Sequence, residues 1–154
     1  MTFATGYLRD PGKVGSGEIH GGSHVILGST NFEADIVVGR FAKVETGSAI
    51  HNIDGSATPV IAGVVMRELT NPMEAGSLVD ETLLNRISYV TQGLVTIDGT
   101  TGETPTRGAT IYAVNAAGSG ANFGKGTITT TNNVITNARF VEAVDTDVWL
   151  VQLI

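Results

Sequence analysis

Histidines and carboxylates that could bind a divalent metal lie close together at two places in the chain. Imidazole nitrogens and carboxylate oxygens are common protein ligands of divalent metals. The candidates are Glu18, His20, His24 and Glu33 in a first group, and His51 with Asp54 in a second. A site in the first group would require the chain to fold back on itself, because its histidines flank a Gly-Ser pair typical of a loop. We therefore favour solvent-facing polar side chains and predict no metal and no other cofactor.

A glycine-rich segment at residues 118–127 (GSGANFGKGT) has only a superficial similarity to a phosphate-binding loop. A P-loop has four residues between its first Gly and a Gly-Lys pair, which Ser or Thr follows, and it opens a helix. Here Gly126 follows Lys125, and the next residues, ITTTNN, are typical of a strand. The spacing therefore predicts a hairpin loop and no nucleotide site.

Residues for covalent catalysis are equally hard to assemble from this sequence. It contains no Gly-x-Ser-x-Gly motif, so a serine hydrolase would need Ser, His and Asp from scattered loops. The chain has no Cys, which excludes disulfides, thiolate zinc sites and a thiol nucleophile. We predict a protein without enzymatic activity, and we keep as an alternative a small β-barrel enzyme that uses His24 or His51 with an acid.

Length and charge restrict the possible partners. The 154 residues correspond to one domain, and their formal net charge is −6, which repels the phosphate backbone of a nucleic acid. No run approaches the roughly 20 apolar residues that span a bilayer. Residues 1–10 also lack the basic segment and apolar run of a signal peptide. We therefore expect a soluble, unexported protein that binds neither nucleic acid nor a membrane.

The beginning of the chain differs in composition from the rest. Seven glycines between residues 1 and 28 interrupt any regular periodicity, which favours an extended N-terminal arm over residues 1–28 that ends in a short strand, His24–Leu27. Residues 29–154 are predicted to form a single β-domain. Within it, Ser77–Asn85 is the one candidate helix, because Ser77 can cap it and acidic residues follow in its first turns.

The β-domain shows short runs of β-branched and aromatic residues between turn residues. Strands are predicted within Phe32–Val44, Pro59–Glu68, Ile87–Asp98, Ala109–Val114, Gly126–Thr131, Ala138–Val144 and Asp147–Leu153. Their recurrence without long amphipathic helices favours an all-β, antiparallel architecture, which is sandwich-like, jellyroll-like or a small barrel.

Trp149 lies in a run, VDTDVWLVQLI, whose two alternating faces both carry large apolar side chains. A strand of this kind must be covered on both faces. The covering layer is either the core of the domain or another subunit, because aromatic anchors are favoured in interfaces. The sequence leaves both interpretations open.

Several stretches of the chain, in order, resemble the structural cement proteins of tailed bacteriophages. They are YLRDPGKVGSGEIHGG, STNFEADIVVGRFAKVETG, DGSATPVIAGVVMRE, ISYVTQGLVTIDGTTGETP and VDTDVWLVQLI. The resemblance runs from about Tyr7 to the end of the chain. It implies a small β-fold that decorates the outside of an icosahedral head in many copies, as a homo-oligomer, with no enzymatic activity and no cofactor.

On this basis we expect the arm and exposed sheet edges to pair with the backbone of major capsid proteins by strand addition. Apolar side chains would insert between capsid domains, and the predicted contact residues are Tyr7, Leu8, Val14, Ile19, Val25, Leu27 and Trp149. The oligomer is left open between a dimer and a trimer, with assembly in the host bacterial cytoplasm. An alternative is another virion β-domain, associated with the tail or a fibre, that binds a host glycan.

Overall fold

The computed structural model describes residue 17 and residues 26–30, 36–45, 49–66 and 87–154. The predicted helix Ser77–Asn85 lies outside these residues, as does most of the predicted arm. In the part of the chain that is described, regular structure consists of nine strands and one 3-10 turn, Gly120–Asn122. The all-β class is therefore confirmed.

The strands are numbered in chain order. They are β1 (Ile26–Thr30), β2 (Phe41–Val44), β3 (Ile50–Asn52), β4 (Val60–Val65), β5 (Ile87–Asp98), β6 (Thr110–Ala113), β7 (Gly126–Thr127), β8 (Val134–Asp145) and β9 (Val148–Leu153). The three-residue strand β3 was not predicted, because so short a segment carries no measurable alternation of apolar residues.

All nine strands belong to one hydrogen-bonded system in which every pair of strands is antiparallel. The order is β3-β2-β4-β5-β9-β8-β6-β7, and β1 also pairs with β5. The first half of β5 pairs with β1 and β4, and its second half pairs with β9. A parallel bridge between Gly99 and Gly126 brings the chain after β5 back to β7. The choice among sandwich, jellyroll and barrel stays a prediction.

Two clusters of buried apolar side chains stabilise this system of strands. The larger includes Phe41, Val64, Val95, Ile97, Ile111, Phe140, Trp149, Val151 and Leu153, and the smaller consists of Ile36, Val38, Ala42, Ile50, Val65 and Ile87. Alternate residues of β9 enter the larger cluster, as the period of two in a strand requires. Leu150 on the opposite face of β9 is buried as well, which agrees with the expectation that both faces are covered.

The predicted strand Gly126–Thr131 is wrong beyond Thr127, although β7 does form the predicted hairpin with β6. The carboxylate of Glu103 accepts hydrogen bonds from Thr127 Oγ1 at 2.6 Å and from the backbone N–H of Ile128 at 2.7 Å. Thr129 Oγ1 donates to the same carboxylate at 3.2 Å. The Glu103 carboxylate thus accepts the backbone N–H of Ile128, which a neighbouring strand would otherwise pair, and no local pattern marks this distant partner.

Two glycines permit close approaches that any larger residue would block. A Cβ atom on Gly63 in β4 would lie 2.2 Å from the carbonyl oxygen of Val90 in β5. A Cβ atom on Gly99 would lie 2.2 Å from Cε2 of Trp149. The absence of a side chain at these positions therefore brings β4 against β5 and seats the indole ring.

Candidate docking surface

Most of the predicted partner contacts belong to the arm. Five of them lie outside the described part of the chain: Tyr7, Leu8, Val14, Ile19 and Val25. Leu27 lies in β1, where its backbone is paired with Val90 of β5. Because β1 spans Ile26–Thr30, the predicted boundary between residues 28 and 29 falls inside a strand of the β-domain's own sheet. Earlier in the chain, the backbone N–H of Gly17 donates to the carbonyl of Thr96 at 2.6 Å.

Trp149 is placed in the core, with only 2% of its surface exposed. Its ring meets the ring of Phe140 edge to face, with centroids 5.9 Å apart and an interplanar angle of 87°, which is a favourable geometry for aromatic rings. Of the two interpretations that the sequence left open, the structure shows burial in the core. The ring therefore has almost no free surface in this chain, and a capsid contact through Trp149 stays a prediction.

Large apolar side chains that do reach solvent form candidates that sequence reasoning missed. The exposed ones among the described residues are Val44, Val60, Ile128, Ile135 and Ile154. Val44 and Val60 are directly opposite each other where β2 pairs with β4, and side chains in such positions lie about 5 Å apart on one face. We call these two residues the valine patch. Only the strand register reveals that they adjoin, since they are far apart in sequence.

Ile135 and Ile154 are two further exposed residues that each lie near Asn137, and we call these three residues the isoleucine patch. Ile135 shares the outward face of β8 with Asn137, and the backbone N–H of Ile154 donates to the Asn137 carbonyl at 3.2 Å. The Asn137 amide in turn donates to the carbonyls of Ile154 at 2.8 Å and Thr91 at 3.3 Å. The polar group inside this patch is therefore occupied by hydrogen bonds within the chain.

A buried ammonium group, that of Lys43, lies in β2 on the face opposite to Val44. Lys43 Nζ contacts Glu45 Oε1 at 2.5 Å and Asp54 Oδ2 at 2.9 Å, and it donates to Ser56 Oγ at 3.3 Å. The lysine side chain is only 5% exposed, whereas those of Glu45 and Asp54 are 46% and 57% exposed. The positive charge is thus enclosed, and the two negative charges face solvent.

These contacts move the pKa values of all three groups in the direction expected of ion pairs. Burial by itself would lower the pKa of Lys43, but hydrogen bonds with Glu45 and Asp54 outweigh it, so the pKa is raised. The hydrogen bond from Lys43 lowers the pKa of Glu45, and together with hydrogen bonds from Ser56 it lowers the pKa of Asp54 to about 2. Both carboxylates therefore carry their charge at neutral pH.

The second predicted metal group, His51 with Asp54, lies at this same place. His51 Nε2 is 4.0 Å from Glu45 Oε2, but the Lys43 ammonium already occupies the position between the two carboxylates. In the described ranges, no three His, Asp or Glu side chains converge as metal ligands would. The first group, with His20 and His24, falls outside those ranges.

The side chain of Asn115 forms hydrogen bonds with the backbone of the two residues that follow Asp54. Its Oδ1 accepts the backbone N–H of Gly55 at 3.0 Å, and its Nδ2 donates to the carbonyl of Ser56 at 3.0 Å. Because Asn115 is itself buried, these bonds are shielded from water and fix the segment that leads into Val60.

Residues 118–127 lead from β6 into β7, and the side chain of Arg40 contacts their backbone. Its guanidinium donates to the carbonyls of Ala121 at 2.6 Å and Phe123 at 3.3 Å, and it forms a salt bridge of 3.2 Å with Asp98. The segment continues into β7 and opens no helix. This geometry confirms the predicted hairpin loop over a phosphate-binding loop.

Comparisons with known proteins give one family and one fold. A family model described as structural cement protein (E217 gp24/Pam3 gp6) matches residues 3–154. A chain from a solved structure titled "The capsid of Myoviridae Phage XM1" is 24% identical, with a TM-score of 0.81, over 99% of this chain and 98% of that chain. At that identity the likeness shows a shared fold.

No curated protein matches the chain, and none of the described residues form a helix long and apolar enough to cross a membrane. The family model spans nearly the whole sequence, and it agrees with the all-β fold and with the resemblance already seen in the sequence. The chain therefore belongs to the family of bacteriophage structural cement proteins, which are non-enzymatic components of the capsid.

Proposed function

We propose that this protein binds the outer surface of an icosahedral phage head and bridges neighbouring major capsid proteins, so that the expanded head is stabilised. The observation that carries the proposal is the family match over residues 3–154. The shared fold with a chain of a phage capsid structure supports it. The net charge of −6 also favours the outside of the head, because packaged DNA would repel an acidic protein on the inside.

The bridging mechanism depends on repetition. A homo-oligomer, dimer or trimer, would contact several capsid subunits at once, and each further contact would form at a high effective concentration. Weak individual contacts thus become strong around a closed shell. The pressure of the packaged genome would then be resisted by many such contacts in parallel.

The arm is proposed to contribute backbone and apolar contacts to the capsid. Tyr7, Leu8, Val14, Ile19 and Val25 would insert between capsid domains, and the extended backbone would add to an exposed strand edge. Leu27 would act differently, since it lies in β1 and pairs with β5 within this chain. β1 thus anchors the arm to the β-domain.

The test is to add purified protein to expanded heads that lack it and to determine occupancy by cryo-electron microscopy. We expect density on the outer surface that spans adjacent capsid proteins. Deletion of residues 2–25, which leaves β1 intact, should abolish binding while circular dichroism shows a folded β-domain. Heads without added density would refute the proposal and favour the tail or fibre alternative, and full occupancy after the deletion would remove the arm from the mechanism.

A further inference from the structure

We propose that Tyr7 and Leu8 are the residues that reach the neighbouring major capsid protein, and that Gly17 is the point at which the arm leaves the β-domain. This inference rests on the proposed function and names the residues that bridge from one capsid subunit to the next. The other apolar residues of the arm would stay at the subunit on which the β-domain sits.

Gly17 attaches the arm to the β-domain well before β1 begins. Its backbone N–H donates to the carbonyl of Thr96 in β5 at 2.6 Å, and Gly17 is itself buried. Its φ of 76° lies in the left-handed region, which favours glycine over any residue with a Cβ atom. Because this hydrogen bond is shielded from water, Gly17 is a fixed point of the arm.

The site that receives Gly17 is a packed part of the sheet. Val95 and Ile97 belong to the larger core cluster, so the alternation of a strand turns Thr96 to the opposite face of β5. Thr96 is nevertheless fully buried, and Leu150, its partner in β9, is only 7% exposed. The contact with Gly17 is therefore part of a covered surface of the domain.

The strand β1 is a second fixed point, because Ile26–Thr30 pair with β5. Residues 18–25 are thus joined to a fixed residue at both ends, and each is within four residues of Gly17 or Ile26. Four residues span at most about 14 Å. Whatever path the chain takes, this bound keeps the backbone of Ile19 and Val25 close to the β-domain.

Residues 1–16 are joined to a fixed point at one end only. Val14 is three residues from Gly17 and therefore stays within about 10 Å of it. Tyr7 and Leu8 are ten and nine residues away, so they can extend about 30 Å, which is the diameter of a small domain. Of the apolar arm residues predicted to contact the capsid, only these two can cross to the neighbouring subunit.

The chemistry of this pair indicates what would receive it. Tyr7 and Leu8 are adjacent in sequence, and aromatic side chains that enter pockets contribute a large share of the binding energy of interfaces. The phenol ring buries apolar surface, while its hydroxyl requires a hydrogen-bond partner. We therefore expect an apolar pocket on the neighbouring capsid protein, with a polar group at its far end.

The experiment measures sedimentation of the full chain with expanded heads that lack the protein. It compares the wild type, the double variant Tyr7→Ser, Leu8→Ser, and the matched double variant Ile19→Ser, Val25→Ser. We expect the first variant to bind about tenfold more weakly or worse, because two apolar side chains are lost from the bridging contact. The matched variant should stay within about threefold of the wild type. Urea unfolding followed by Trp149 fluorescence checks that each variant is folded.

Hydrogen exchange of the wild-type protein, followed by NMR, tests the fixed point by itself. The backbone amide of Gly17 should exchange at least about a hundredfold more slowly than in an unstructured peptide, because it is buried and bonded to Thr96. An amide that exchanges as in a free peptide would remove the anchor on which the bound for residues 18–25 depends, and the inference would fail.

The outcomes separate this inference from the proposed function. If the wild type binds no heads, the proposed function fails. If the wild type binds and the variant of Tyr7 and Leu8 binds equally well, the bridging contact lies elsewhere. If the matched variant of Ile19 and Val25 loses as much binding, the division of the arm at Gly17 is wrong.

Discussion

Replacing Gly99 by Ala would put a methyl group inside the space of the Trp149 ring. The added Cβ would lie 2.2 Å from Cε2, 2.5 Å from Cδ2 and 2.7 Å from Cζ2 of the ring. To reach an ordinary contact, the ring would have to move by about 1 Å in a closely packed core. Gly126 and Phe140 border the same ring, so that movement has little room.

The expected cost is that of overpacking a core, about 1–3 kcal/mol of the free energy of unfolding. For a domain of this size it corresponds to a fall in Tm of roughly 2–12 °C. Backbone strain does not contribute, because Gly99 is not among the glycines with positive φ. The clash with the indole ring is therefore the whole of the predicted effect.

Urea unfolding measures this cost directly, because Trp149 is the one tryptophan of the chain and its fluorescence reports the core. The Trp149→Phe background, followed by far-ultraviolet circular dichroism, tests the cause. With a smaller ring, Gly99→Ala should cost less than in the wild type, so that the two changes are not additive. Trp149→Phe by itself should bind heads as the wild type does, because the ring is buried.

Two results would refute the reasoning. The first is a Gly99→Ala variant whose free energy of unfolding lies within about 0.5 kcal/mol of the wild type, as a surface substitution would. The second is an equal cost of Gly99→Ala in both backgrounds, which would show that the obstacle is not the indole ring.

Three further predictions concern the buried ammonium and the contact of β4 with β5. Because the pKa of Asp54 is lowered to about 2, its stabilising contribution is complete above its unfolded pKa, about 3.9, and is lost as the pH falls toward 2. Thermal unfolding between pH 5 and 2 should therefore show a larger loss of Tm in the wild type than in Asp54→Asn. The ion pair of Asp54 should contribute less than about 1 kcal/mol to the free energy of unfolding, because the carboxylate is half exposed. The double variant Glu45→Gln, Asp54→Asn leaves the Lys43 ammonium without its carboxylates and should lower the free energy of unfolding in urea more than Lys43→Met does, because Lys43→Met removes the enclosed charge itself; equal losses would contradict this. Gly63→Ala should cost more than Gly99→Ala in the same assay, about 3 kcal/mol or more, because its Cβ meets the backbone oxygen of Val90 at 2.2 Å and a backbone cannot rotate away; a Tm equal to that of Gly99→Ala would argue against this.

Local patterns in the sequence were sufficient for the fold class and for most strands. The runs that became β5, β8 and β9 were recognised because β-branched and aromatic residues are concentrated there between Gly, Asn and Asp. The absence of a nucleotide loop at residues 118–127 was also predictable, since the glycine and lysine spacing is itself a local property. The resemblance to phage cement proteins depended likewise on ordered stretches of sequence.

The pattern of exposed and buried side chains, in contrast, depends on tertiary structure. Val44 and Val60 adjoin only because β2 and β4 pair in one register, and the sequence does not show which apolar residues of a strand remain uncovered. Trp149 could not be assigned to core or interface until Gly99, Gly126 and Phe140 were placed around it. Sequence determines local conformation because propensity and turn chemistry act over a few residues, while burial and charge pairing depend on partners brought from far along the chain.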